Sequence, residues 1–232
     1  MKYGALILLV AFASCGSPGH RGAEPPAVRP SEVSDFGVLY RQNCSGCHGI
    51  DGQGALTVAI GNPEYLAIAD SATIRRVIEG GRPGTAMPAF AQSAGGLLTE
   101  AQVDILVRGI GERWARPAAL GSDKPPAYAA SQPGDAARGH NVFTTYCSSC
   151  HGLEGRGGRA GSIVDSSYLA LVSDQHLRTV TIIGIPALGA PDWRGNVPGK
   201  PMSDADVTDV VAWLAAQRQP LSVKLNRPGG LE

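Results

Sequence analysis

Apolar side chains recur at three- and four-residue spacing in two matched sets of segments, and that spacing predicts helices. Val103, Leu106 and Val107 form one stripe; Val207, Val210, Val211 and Leu214 form another. Each stripe follows a helix-start signal, Thr99 three residues before Gln102 and Ser203 three before Asp206. Ile74, Val77 and Ile78, and Leu177 with Val180, predict helices that begin near Asp70 and Ser173. A further helix in each half opens at Ser34 or Asp35 and at Asp135, and runs into a pair of cysteines. Tyr40 and Phe143 stand four residues before the first cysteine of each pair, one turn away on the same face. Each half therefore reads as three short helices whose apolar stripes are core-packing faces. No alternating pattern rises above them to suggest a strand, so the fold class is all-α.

The two sets are copies. Cys44-Ser45-Gly46-Cys47-His48 recurs 103 residues later as Cys147-Ser148-Ser149-Cys150-His151. The same displacement carries Gly49, Gly52, Tyr65, Leu66, Arg75, Gly81, Pro83 and Pro88 onto identical residues. One inserted residue then moves it to 104, which brings Thr99 to Val103 onto Ser203 to Val207. Two homologous domains follow, 34–118 and 134–220. The Pro/Ala-rich stretch 119–133 links them, and 221–232 is a tail.

The amino terminus reads as an address. Lys2 precedes an apolar run from Tyr3 to Ala13, too short for a bilayer span and matched to the core of an export signal. Phe12-Ala13-Ser14-Cys15 closes it and resembles the lipobox of bacterial lipoproteins, with Phe12 standing where that pattern prefers Leu. This makes 1–14 a signal peptide and Cys15 the site of lipidation. The alternative is cleavage after Ala11-Phe12-Ala13, which leaves Cys15 a free thiol in an oxidising compartment. Residues 15–33 read as a flexible tether in which His20 is a solvated linker residue. The expected location is the periplasmic side of a bacterial membrane, held by the lipid anchor.

Composition changes the picture in two ways. Lys+Arg and Asp+Glu number 20 each, so a nucleic-acid binder has no electrostatic support. Gly and Pro make up about 21% of the chain while aromatic residues are only 6%. A loop-rich chain so short of large side chains either folds loosely or fills part of its interior with something other than amino acids. Five cysteines in three places do not form a disulfide framework.

Cys-x-x-Cys-His supplies that other body, because it is the attachment pattern of c-type haem. Two thiols one helical turn apart can reach the two vinyl groups on one porphyrin edge, and the next residue, His48 or His151, lies under the iron. Structural zinc needs four ligands, and the two pairs are some 100 residues apart in separate copies. A thioredoxin-type redox pair needs a βαβ context that is absent. No Ser/His/Asp set and no nucleotide-binding loop is present.

These motifs resemble the class I cytochrome c fold, and the chain as a whole resembles a dihaem bacterial lipoprotein with two tandem cytochrome c domains. The resemblance implies two haem c groups, on Cys44 and Cys47 with His48, and on Cys147 and Cys150 with His151. It also implies a methionine ligand in a Met-Pro loop, which Met87-Pro88 supplies in the first copy. The second copy departs from the pattern, since Ala190 stands at the corresponding place. Met202 is then the substitute ligand, although the repeat aligns it with Leu98. The other readings are an iron that is open or holds water, or ligation by Lys200 or His176. His140 reads as an exposed helix residue. Pro63 and Ser166 are expected to offer the carbonyl that accepts the ligand histidine's free N–H. Trp114, Trp193 and Trp213 read as haem-pocket or inter-domain packing.

The implied function is one-electron transfer between membrane-associated or periplasmic redox partners. A quinol-oxidising complex as donor and a terminal oxidase as acceptor would suit it, with no nucleic acid involved. Two alternatives stand beside it: a haem enzyme of the peroxidase or sulfur-compound dehydrogenase type using an open second haem, and a fixed subunit of a respiratory or photosynthetic complex. Two haems would supply the interior that the few aromatic side chains do not, so the apoprotein is expected to be largely unfolded.

Overall fold

A computed structural model of the chain describes residues 28–54 and 57–219. The expected signal peptide 1–14, Cys15, His20 and the expected tail 221–232 lie outside the described residues. Among the described residues the chain is helical, without strands beyond two isolated bridges, Ala91 with Leu98 and Ile185 with Ala190. None of these helices is long and apolar enough to cross a membrane.

The first half contains α1 (Phe36–Asn43), α2 (Ser45–His48), α3 (Pro63–Ile68), α4 (Ser71–Gly80) and α5 (Glu100–Trp114). The second repeats the order with α6 (Ala136–Tyr146), α7 (Ser148–His151), α8 (Ser166–Leu171), α9 (Asp174–Ile183) and α10 (Asp204–Ala216). Five helices thus stand where the pattern predicts three. The extra ones are the single turns α2 and α7 that carry the cysteine motifs, and the six-residue α3 and α8, too short to show a period. Their starts are set locally, by Asn62 accepting from the Tyr65 amide and by Asp165 accepting from the amides of Ser167 and Tyr168.

The predicted starts of the longer helices are found as read. Asp35, Asp70, Asp135 and Ser173 each accept a hydrogen bond from a first-turn amide, so donors with no partner inside the helix are satisfied. Thr99 with Gln102 and Ser203 with Asp206 form complete capping boxes. The Gln102 side chain also donates to the carbonyls of Pro30 (2.8 Å) and Val33 (3.1 Å), which fastens the end of the tether region onto α5.

In each half the first and last helices cross in close contact, and the repeat builds that crossing with its sizes exchanged. In the first half the Phe36 ring lies against Gly109, where an added Cβ would fall 2.2 Å from the ring. In the second half the equivalent of Phe36 is Gly139, and the equivalent of Gly109 is Trp213. A Cβ on Gly139 would lie 2.0 Å from the Asp209 carbonyl oxygen and 2.8 Å from the Trp213 Cβ. A large residue against glycine fills the same space from either side. Trp114 stacks edge-on against Tyr40 (5.0 Å) and Phe36 (5.9 Å), and Trp213 lies against Phe143 (4.4 Å). Both therefore close a helix crossing, while Trp193 is buried under the Arg194 guanidinium (4.6 Å). His140 is half-exposed and lies against Trp213 (5.4 Å).

The crossing of α6 and α10 also carries a buried carboxylate. Asp209 is 5% exposed and accepts from the Asp135 amide (2.7 Å) and from Arg138 (2.8 and 3.1 Å). The Arg138 guanidinium holds the Asp209 carboxyl below its usual range. Asp209→Asn is expected to destabilise the second half by about 1–3 kcal/mol, since an amide cannot satisfy both donors. The folded carboxyl is depressed, so its stabilisation is present above the unfolded pKa of about 3.9 and is lost as pH falls through the folded value. Denaturant titrations of both proteins should diverge near neutral pH and converge in acid; a gap that is constant with pH would contradict the ion-pair account.

The stretch 119–133 is tied to both halves. Buried Arg178 donates twice to the Ala127 carbonyl (3.0 and 2.8 Å), to Thr208 (2.9 Å) and to Asp204. Gln175 donates to the Tyr128 carbonyl (2.7 Å). From the first half, Arg82 reaches the Tyr128 hydroxyl, and the Tyr65 ring packs edge-on against the Tyr128 ring (6.3 Å). Arg194 bridges Asp123 (3.1 Å) and Glu64 (3.8 Å). A stretch with no apolar period is thus anchored by polar contacts from the loop after α4, from α9 and from the loop before α10.

Candidate functional site

Each cysteine motif forms one tight helical turn at the end of the domain's first helix. The Cys44 carbonyl accepts from the amides of Cys47 (3.2 Å) and His48 (3.0 Å). In the second half the Cys147 carbonyl accepts from Cys150 (3.1 Å) and His151 (3.0 Å). The chain then turns back on itself, with the Gly54 amide donating to the His48 carbonyl and the Gly157 amide to the His151 carbonyl. Buried Tyr40, one turn before Cys44, donates its hydroxyl to Gly49 (2.9 Å) and braces this turn.

The four thiols are free, and within each pair the environments differ. Burial pushes the Cys44 and Cys147 thiols up to about 12. Cys47 is exposed, and Cys150 is held below its usual value by Arg159, whose guanidinium donates to the sulfur (3.3 and 3.0 Å). One thiol of each pair thus points inward and the other lies near the surface.

Each histidine ring is oriented by a carbonyl of the following loop. His48 Nδ1 lies 3.0 Å from the Val58 carbonyl and 3.0 Å from the Thr57 hydroxyl; His151 Nδ1 lies 3.1 Å from the Gly161 carbonyl. A carbonyl only accepts, so Nδ1 carries the hydrogen and Nε2 keeps its lone pair. Burial holds His48 below the usual imidazole range, which favours that neutral form. Val58 and Gly161 are 103 residues apart and serve the role expected of Pro63 and Ser166. The correction has a local cause, since Pro63 and Ser166 open α3 and α8 and lie beyond the loop that reaches the rings. No side-chain signal marks an acceptor that every residue possesses. Thr57 and Arg159 likewise belong to no motif in the sequence.

Met87 is half-buried, in the loop between α4 and α5, where its carbonyl accepts from the Arg82 amide (2.9 Å). Ala190 occupies the equivalent place, its carbonyl accepting from the Ile185 amide (3.0 Å). Met202 is 2% exposed at the entry to α10. Its sulfur lies 3.9 Å from the Asn196 side-chain amide. Lys200 lies over the Tyr146 ring (5.6 Å), and His176 is partly buried on α9, where burial, and after it the positive charge of Arg82, hold it below its usual value.

The donor set fits a covalently attached haem in each half: two thiols and an imidazole nitrogen with its lone pair free, on one turn. It does not fit zinc. Among the described residues no three His, Cys, Asp or Glu side chains gather closely enough to hold a metal ion.

Comparison with known proteins agrees with this geometry. The family model described as cytochrome C oxidase, cbb3-type, subunit III matches residues 31–108 and again 134–214. The cytochrome bc1 complex cytochrome c subunit of Mycobacterium tuberculosis is 23% identical over 98% of this chain and 79% of its own length. The cbb3-type cytochrome c oxidase subunit CcoP of an Azospirillum species is 28% identical over 53% of this chain and 40% of its own. A chain of the reducing HAO-like protein complex of Kuenenia stuttgartiensis is 18% identical, with a TM-score of 0.43 over 83% of this chain and all of that one. The duplicated helical fold, its two Cys-x-x-Cys-His turns and a family match over most of the chain place this protein in the cytochrome c family of the cbb3-oxidase subunit III type, whose members bind haem c covalently.

Proposed function

We propose that the chain carries two haem c groups and passes single electrons between respiratory membrane complexes. The observation that carries this reading is the pair of matched turns in which His48 and His151 are each locked through Nδ1, leaving Nε2 free. A bound haem supplies a reversible one-electron centre whose potential follows its axial ligands and burial. Cys44, Cys47, Cys147 and Cys150 anchor the groups, and His48 and His151 orient them. Met87 offers a thioether sulfur as the sixth ligand in the first domain, 34–118; the second domain is 134–220. The loop carbonyls make each imidazole a stronger donor and fix its plane. With 119–133 fastened to both domains, the spacing of the two centres would not depend on a free hinge.

The relatives are named as subunits of a bc1 complex and of a cbb3 oxidase. They support a quinol-oxidising donor and a terminal-oxidase acceptor for this chain too. The export signal and Cys15 support attachment to the periplasmic side of a membrane through lipid. The near full-length match to a bc1 complex subunit favours fixed membership of such a complex over a free shuttle. Co-purification with a b-type cytochrome in mild detergent would support membership, and recovery of the chain alone would support a shuttle.

Pyridine haemochrome analysis is expected to give about two c haems per chain, one per attachment motif. A single haem would defeat the reading. Met87→Ala is expected to remove a methionine–iron charge-transfer band. It should also lower one midpoint potential by on the order of 0.1–0.3 V, within the roughly 0.8 V that axial ligands span. An unchanged band and potential would remove Met87 from the iron.

A further inference from the structure

The second domain keeps the loop that carries Met87 in the first, but without its sulfur. In both loops a glycine of left-handed backbone, Gly81 (φ 66°) or Gly184 (φ 68°), ends the preceding helix. Each backs onto the loop so closely that a Cβ would fall within 2.5–2.6 Å of the carbonyl carbon of Pro88 or Pro191. The next amide, Arg82 or Ile185, donates to the carbonyl of Met87 or Ala190. Farther on, the Phe90 carbonyl accepts from Leu98 (2.8 Å), and the Trp193 carbonyl accepts from Met202 (2.9 Å). By these two shared hydrogen bonds Ala190 stands at the place of Met87 and Met202 at the place of Leu98. The loops correspond at both landmarks, although one extra residue lies between them.

Met202 is held there from both sides. Its amide is tied to Trp193, and the next residue, Ser203, is the cap of α10, bonded to Asp206 at 2.8 and 3.1 Å. Bringing its sulfur to another place would empty a core position. Ala190 offers only a methyl group. Lys200 is engaged on the Tyr146 ring, and His176 is held in the first turn of α9, where its amide donates to the Ser173 cap.

We infer that the haem of the second domain, which rests on the two-haem reading above, receives no sixth ligand from the protein. Its face beside Ala190 is a site for a small diatomic ligand such as carbon monoxide or nitric oxide. Met202 is a core residue equivalent to Leu98. The two domains then differ in kind. The first holds a closed centre suited to electron transfer, and the second a centre that a diffusible gas can occupy.

The test uses the full-length haem-loaded protein, with its haem content measured first. On reduction, wild type is expected to bind about one carbon monoxide per two haems, and the oxidised spectrum should contain a high-spin component. Met202→Leu should leave both properties unchanged, because Leu already serves at position 98. Ala190→Met should close the site, removing the high-spin component and most of the carbon monoxide uptake. Two haems with no carbon monoxide binding in wild type would overturn this inference and leave the electron-transfer reading standing. So would binding that appears only in Met202→Leu. Fewer than two haems would instead overturn the reading on which it rests, and the inference with it.

Discussion

Changing Cys147 and Cys150 together to Ser is expected to leave the second domain without haem and without a cooperative fold. The first domain should keep its own group. The protein part of the second interior lies between α6, α9 and α10, where Phe143, Leu177, Ile182, Val207 and Val210 are fully buried. That core must order a domain of about 87 residues, and each ordered residue costs roughly 1–2 kcal/mol of backbone entropy. Large apolar side chains remain outside it: Leu153, Leu171 and Leu188 are 71–80% exposed. A small core of this kind is marginal by itself. A large, mostly apolar haem held by two thioethers adds interior contact and ties the cysteine turn to the rest of the domain. The variant should show about one haem per chain, lose close to half its helical signal, and be cut by protease within 134–219. A cooperative melt of the second domain without haem would contradict this. So would a stable, protease-resistant apoprotein.

Gly139→Ala is expected to be the most damaging single substitution away from the haem ligands. The new Cβ would lie 2.0 Å from the Asp209 carbonyl oxygen and 2.7 Å from its carbon, both backbone atoms of the opposing helix. No rotamer change relieves such a contact, so the helices must separate. Separation loosens Trp213 from Phe143 and stretches the bonds from Asp135 and Arg138 to Asp209. Overpacking costs typically about 1–3 kcal/mol, and loss of the buried polar contacts adds to it, so the second domain should lose more than about 3 kcal/mol. Gly111→Ala is the matched control. It lies within α5 with open space around its Cβ, and it should gain about 0.5–1 kcal/mol from helix propensity. Thermal melts that rank the two variants the other way would refute the packing account.

Much of this protein is legible in its sequence because the information is local. A capping box needs two side chains three residues apart, and Thr99 with Gln102 supplies one. A haem-attachment turn needs five consecutive residues, which recur at a fixed displacement. The duplication itself made Ala190 visible as a departure. The six-residue α3 and α8 escaped because a stripe needs more than one full turn to show itself.

The sequence by itself determined the duplication, the helix starts, the all-α class, the two attachment turns and the methionine missing from the second loop. Each depends on side-chain identity over a few adjacent positions. Tertiary structure alone decided which loop carbonyl orients each histidine, since Val58 and Gly161 act through a group that every residue carries. It decided that Phe36 against Gly109 becomes Gly139 against Trp213, because complementary sizes can be exchanged between distant positions without leaving a local trace. It also fastened 119–133 to both domains through Arg178, Arg82 and Arg194, whose partners are chosen by proximity in space.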